Sequence, residues 1–115
     1  MNISLLEQRQ HFTMPTAVPN TQNRDEILYY FCKYIWWQIP DEAIKWTDRL
    51  VAQAMCYAQI EEYKLLWQIK DDMISAIKNA QAGWFDKKSW HFWHLMLDLV
   101  KIDEPMPPLP KRTFH

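Results

Sequence analysis

The chain has 115 residues, 49% of them hydrophobic and 15% aromatic, which fits a single folded domain and excludes disorder of the whole chain. Thirteen Lys and Arg residues against 14 Asp and Glu residues give a net charge of −1, so nucleic acid is not expected as a partner. Only one glycine, Gly83, is present, which excludes glycine-rich phosphate-binding loops, and no cofactor is predicted.

Prolines and polar residues set both ends of the chain apart from an aromatic middle. Residues 1–23 contain Pro15, Pro19 and a run of Thr, Gln and Asn, and we predict an extended or flexible N-terminal arm. Residues 24–102 hold 15 of the 17 aromatic side chains and are predicted to form a helical domain. Residues 103–115 carry four prolines within six positions, which favours an extended proline-rich tail.

The first predicted helix begins after Asn23, whose side chain can cap free backbone amides, and ends before Pro40. Between Ile27 and Ile39 only Lys33 and one glutamine are clearly polar, so this helix is apolar on almost every side. The same aromatic residues favour a β-strand. We favour a helix because the sequence offers no second strand-like segment for pairing.

A second helical region follows Asp41, a candidate cap, and contains no Gly or Pro as far as Ala82. Its apolar stripe advances by 3.6 residues on average, which is the helical period. One long central helix is compatible with this pattern, and Gln59–Glu62 and Lys70–Asp72 are the candidate breaks. The stripe consists of Ile44, Thr47, Val51, Met55, Ala58, Glu62, Leu65, Ile69, Met73, Ala76 and Ala80.

The last predicted helix lies between Gly83, which can end the preceding helix, and the proline-rich tail. Asp86 is its candidate N-cap. The predicted fold is therefore all-α, a small bundle of three to four helices with a long central helix and flexible N- and C-terminal arms.

The helical domain carries more apolar surface than three or four helices can bury among themselves. We therefore predict a non-enzymatic interaction module, which forms a homodimer or docks on another protein. The alternative is that the aromatic residues form a compact core within one chain. The interface candidates are Tyr30, Tyr34, Trp36, Trp37, Trp90 and Trp93.

Two imidazoles and one carboxylate share a face of the last predicted helix. His91 and His94 are three residues apart, and Asp98 lies one further turn along. This spacing can supply two or three ligands to a zinc or iron ion. The alternative is an ordinary solvated helix face. A small-ligand or metal-binding bundle is accordingly the second functional hypothesis.

Lys33 and Glu62 are single charges in apolar surroundings, in the first helix and on the central stripe respectively. An ion pair between them would fix the register of two helices. The alternative is that both side chains extend along the surface and reach water.

The two cysteines, Cys32 and Cys56, lie in apolar segments and are predicted to be reduced and buried. The first 19 residues lack a basic start followed by an apolar run, and no stretch of 18 apolar residues occurs. We therefore expect a cytoplasmic protein without a membrane span.

The tail sequence Met-Pro-Pro-Leu-Pro-Lys-Arg is similar to the proline-rich ligands of SH3 domains. In that interpretation Pro107 and Pro110 fill the aromatic grooves of the host domain, and Arg112 supplies the basic contact. The alternative is an extended arm that lies across the helical body or a neighbouring subunit.

Overall fold

A computed structural model of the chain describes residues 18–111, and within this range the protein contains six α-helices and no β-strand. The prediction of an all-α fold is confirmed, but the helices are shorter and more numerous than expected. They are α1 (Arg24–Phe31), α2 (Pro40–Lys45), α3 (Thr47–Tyr57), α4 (Tyr63–Gln68), α5 (Lys70–Lys78) and α6 (Lys87–Met96). Two 3-10 turns lie at Cys32–Tyr34 and Ile60–Glu62.

Helix α1 begins as predicted but ends well before Pro40. Asn23 Oδ1 accepts a hydrogen bond from the Glu26 amide at 3.0 Å, so the expected cap is present. The helix ends at Phe31, and Ile39 is extended because the ring of Pro40 disfavours helical backbone in the residue before it. Pro40 itself occupies the first turn of α2, where its missing N–H has no cost.

The central segment is divided rather than continuous. Its backbone leaves the helical conformation at Trp46, at Ala58 and again at Ile69. The second break coincides with the predicted Gln59–Glu62 position, and the third lies immediately before Lys70. The predicted stripe nevertheless faces inward along much of its length, since seven of its members are buried: Val51, Met55, Glu62, Leu65, Ile69, Met73 and Ala76.

Helix α3 contacts more of the other helices than any other element does. It packs mainly against α5 and also against α1, α2 and α6. Its buried side chains include the small residues Ala52 and Ala54, which permit close approach of neighbouring helices. Four of the other five helices therefore pack on α3, whereas α4 packs on α1 and α5.

Two residues with positive φ accompany the ends of α5 and α6. Gly83 has φ +88° in the turn after α5, although that helix already ends at Lys78. Asp98 has φ +58° directly after α6, and the next amide, of Leu99, donates to the His94 carbonyl at 2.9 Å. This left-handed residue ends α6 earlier than the apolar pattern indicated.

Both cysteines are free thiols. Cys32 is buried and donates to the Leu28 carbonyl, whereas Cys56 is only partly buried. Burial raises the pKa of both thiols, so neither is activated as a thiolate at neutral pH.

Candidate interaction surface

Three tryptophan side chains form the most exposed aromatic region of the described residues, which we call the tryptophan patch. Trp36 is 83% exposed, Trp46 is 64% exposed and Trp37 is 48% exposed. The rings of Trp36 and Trp37 meet edge to face at a centroid distance of 5.6 Å. Trp37 and Trp46 line the same cleft, so all three side chains belong to one region of the surface.

The patch results from the early end of α1. A helix continuing to Ile39 would have turned some of these side chains inward, but the backbone from Ile35 to Ile39 is irregular. Ile35 is buried and fixes one end of this segment to the core, while Pro40 begins α2 at the other end. Trp36 and Trp37 lie between these two fixed points.

Tyr30 and Tyr34, predicted as interface residues, are half-buried against the core and take part in a polar cluster. Both hydroxyls donate to the Glu62 carboxylate, Tyr34 to Oε1 at 2.5 Å and Tyr30 to Oε2. Burial and the neighbouring carboxylate raise the pKa of both phenols, so both remain protonated donors at neutral pH. Their hydroxyl groups are therefore engaged within the chain.

Lys33 and Glu62 form an ion pair, which is one of the two outcomes that the sequence left open. Lys33 Nζ donates to Glu62 Oε2 and to the Tyr30 hydroxyl, and the Gln59 amide donates to Glu62 Oε1 at 2.8 Å. Burial alone would raise the pKa of Glu62, but the hydrogen bonds from Lys33, Tyr30 and Tyr34 outweigh it and lower the pKa to about 2. The polar cluster thus joins the segment that carries the tryptophan patch to the turn before α4.

Trp90 and Trp93, the other predicted interface residues, are core residues instead. Their exposed fractions are 6% and 1%. Trp93 Nε1 donates to the Met55 carbonyl on α3 at 2.7 Å, and Trp90 Nε1 donates to the Pro107 carbonyl at 2.7 Å. Trp93 is therefore buried against α3, whereas Trp90 is covered by Phe85 and by the tail.

The residues His91, His94 and Asp98 do not assemble a metal site. His94 is buried and its Nδ1 lies 2.7 Å from the Trp90 carbonyl, whereas His91 is exposed. Asp98 lies beyond the end of α6, because the chain has left the helix at Leu97. Within residues 18–111 no three His, Cys, Asp or Glu side chains are grouped in a way that could hold a metal ion.

The proline-rich tail lies against the helical body over part of its length. Met106 and Leu109 pack on the core, and Pro110 is partly buried. Together with the hydrogen bond from Trp90 to the Pro107 carbonyl, these contacts correspond to the predicted alternative of an arm across the body. Arg112 and the predicted arm residues 1–17 lie outside the described residues.

Two residues that line the cleft beside the tryptophan patch, Arg49 and Trp84, are not recognisable as site residues from the sequence. Trp84 follows α5, and Arg49 lies on α3, yet both line the cleft with Trp37 and Trp46. The Arg49 Cζ atom lies 5.8 Å from the ring centroids of both Trp37 and Trp84. No local spacing links these positions, since they are brought together only by the packing of α3 and α5.

None of the helices in residues 18–111 is long and apolar enough to span a membrane. Comparison of the chain with family models, with curated proteins and with solved structures found no match.

Proposed function

We propose that this protein is a cytoplasmic, non-enzymatic interaction module that associates through the tryptophan patch, as a homodimer or as a subunit of a larger assembly. The observation that carries the proposal is the high exposure of Trp36, Trp37 and Trp46 in one region. Tryptophan is the residue type most enriched among side chains that dominate binding energies at protein interfaces.

The fixed position of the patch supports the same function. Ile35 is buried on one side of Trp36 and Trp37, and the neighbouring Tyr34 is hydrogen-bonded to Glu62. Large aromatic side chains on a segment held in this way lose little conformational freedom on binding. Such a surface is suited to association with a partner, because less ordering entropy opposes complex formation.

The homodimer is tested by sedimentation equilibrium of the full chain at tens of micromolar. We expect a dimer, and the double substitution Trp36→Gln and Trp46→Gln is expected to weaken it by about 30-fold or more, as for truncated interface hot spots. Both side chains are largely exposed, so the variant is expected to retain the far-UV circular dichroism spectrum of the parent.

Ile102→Gln is the matched control, since Ile102 is an apolar side chain that is 93% exposed outside the patch. This variant is expected to dimerise like the parent. A parent chain that is strictly monomeric would refute the homodimer, and a dimer unaffected by the double substitution would refute the location of the interface.

A further inference from the structure

The cleft beside the tryptophan patch has the size and composition of a small-molecule site. Its volume is about 640 Å³, within the range of roughly 300–1,000 Å³ usual for ligand pockets. The indoles of Trp37, Trp46 and Trp84 line it together with the side chains of Gln38 and Gln81. The three indoles supply flat apolar walls of the kind that such sites use, and the other lining residues are polar or charged.

Two cations, Lys45 and Arg49, line this cleft, and Lys45 is paired with the Glu42 carboxylate at 3.2 Å, so Arg49 is the cation that can receive an anionic ligand. Within residues 18–111 its guanidinium has one hydrogen-bond acceptor, Gln53 Oε1 at 2.8 Å, although it carries five N–H groups. None of the ion pairs of the described residues includes it. Burial lowers the pKa of Arg49, which reflects the partial removal of water from this cation.

The nearby carboxylate does not neutralise Arg49. Asp48 also lines the cleft, but Ser75 Oγ donates to its Oδ1 and Asn79 Nδ2 donates to its Oδ2, each at 2.8 Å. Both carboxylate oxygens are therefore directed at neutral donors from α5 and the turn after it. The remaining donors of Arg49 are available to an acceptor that enters the cleft.

We propose that this cleft binds a small planar aromatic carboxylate, a ligand class that goes beyond the association function. The ring of the ligand would lie against the indoles of Trp46 and Trp37, and its carboxylate would accept hydrogen bonds from Arg49. Guanidinium groups match carboxylates in a two-point geometry, and a site partly shielded from water strengthens that contact. Aromatic stacking alone would not select an anion, so Arg49 determines the charge of the ligand.

The test uses the full chain with 2-naphthoate as probe and 2-naphthamide as its neutral counterpart. Binding is followed by NMR through the indole N–H resonances, which are assigned with single Trp→Phe variants. We expect saturable shifts at Trp37, Trp46 and Trp84, with none at Trp67, which lies outside the cleft. The carboxylate is expected to bind about tenfold or more tightly than the amide, as for a charge-assisted hydrogen bond.

Two variants separate the charge from the aromatic wall. Arg49→Gln is expected to weaken carboxylate binding much more than amide binding, so that the two probes bind with similar affinity. Trp46→Ala is expected to weaken both probes and to leave the preference for the carboxylate in place. Equal affinity of the parent chain for the two probes would overturn the proposal without any variant. Shifts confined to tryptophans outside the cleft, or an unchanged preference in folded Arg49→Gln protein, would overturn it as well.

Discussion

Replacing Glu62 with Gln tests the polar cluster that connects α1 to the turn before α4. Glu62 is 2% exposed and accepts hydrogen bonds from Lys33, Tyr30, Tyr34 and the Gln59 amide. Glutamine has nearly the same size, so the substitution removes the charge without creating a large cavity. It also places an N–H₂ donor among donors and leaves the Lys33 ammonium without its anionic partner.

The expected loss can be worked out from the pKa of Glu62. The cluster lowers this pKa from the ordinary value of 4.5 to about 2. A tenfold change in proton affinity corresponds to about 1.4 kcal/mol, so the ionised carboxylate stabilises the folded state by roughly 3 kcal/mol. Breaking a buried ion pair by removal of one partner costs a similar amount, about 3–5 kcal/mol. We therefore expect Glu62→Gln to lower the free energy of unfolding by about 3 kcal/mol at pH 7.

The pH dependence has a definite sign. Because the folded-state pKa of Glu62 lies below the unfolded-state value, its contribution is complete above pH 4.5 and is lost as the pH falls towards 2. The difference between parent and variant should accordingly shrink from about 3 kcal/mol at pH 7 to less than about half of that at pH 3.

The assay is urea-induced unfolding, followed by tryptophan fluorescence at pH 7 and pH 3. Glu42→Gln is the matched control, since Glu42 and Lys45 form an ion pair at 3.2 Å with side chains that are 52% and 67% exposed. An exposed pair contributes less than about 1 kcal/mol, so this variant should unfold like the parent. An unchanged midpoint for Glu62→Gln at pH 7, or a difference that persists in full at pH 3, would refute the reasoning.

Three further substitutions test other parts of the fold. Trp93→Phe and Gly83→Ala are measured by the same urea unfolding assay, and Trp90→Phe is measured by NMR relaxation. Trp93→Phe removes the indole donor to the Met55 carbonyl and leaves a cavity, so a loss of about 2–4 kcal/mol is expected, and a loss below about 1 kcal/mol would contradict this. Gly83→Ala should lower the free energy of unfolding by about 1 kcal/mol, because alanine disfavours the φ of +88°. Steric overlap adds nothing, since an added Cβ meets no atom within 4 Å. A stabilised variant would show that this backbone is not left-handed. Trp90→Phe removes the hydrogen bond to the Pro107 carbonyl, so ¹⁵N relaxation should report a more mobile tail, whereas unchanged relaxation would show that packing alone holds it.

The ion pair within the polar cluster was one of two outcomes compatible with the sequence, whereas its additional donors were not anticipated. Lys33 and Glu62 are isolated charges in apolar segments, and a buried charge requires a partner. The participation of Tyr30 and Tyr34 depends on the break after α3, which turns Glu62 towards α1. That direction is a property of the tertiary fold and leaves no signal in the spacing of residues.

The structure exposes some of the aromatic residues that the sequence offered as interface candidates and buries others. Trp36 and Trp37 are exposed as expected, whereas Trp90 and Trp93 lie in the core. A helical wheel shows the width of an apolar face but cannot identify the side that a neighbouring helix covers. Trp46 lies at the break between α2 and α3, where its side chain stays on the surface.

The polar cluster and the tryptophan patch act on the same short segment. Tyr34 is hydrogen-bonded to Glu62, Ile35 is buried, and Trp36 follows directly with an exposed side chain. A frayed segment would also expose its aromatic residues. Here, however, Tyr34, two residues before Trp36, is hydrogen-bonded to the buried Glu62 carboxylate. Tyr30, Lys33 and Tyr34 would lose their buried acceptor if the segment moved away, so the polar cluster keeps Trp36 in its exposed position. This fixed exposure is the structural basis of the proposal that the tryptophan patch binds a partner.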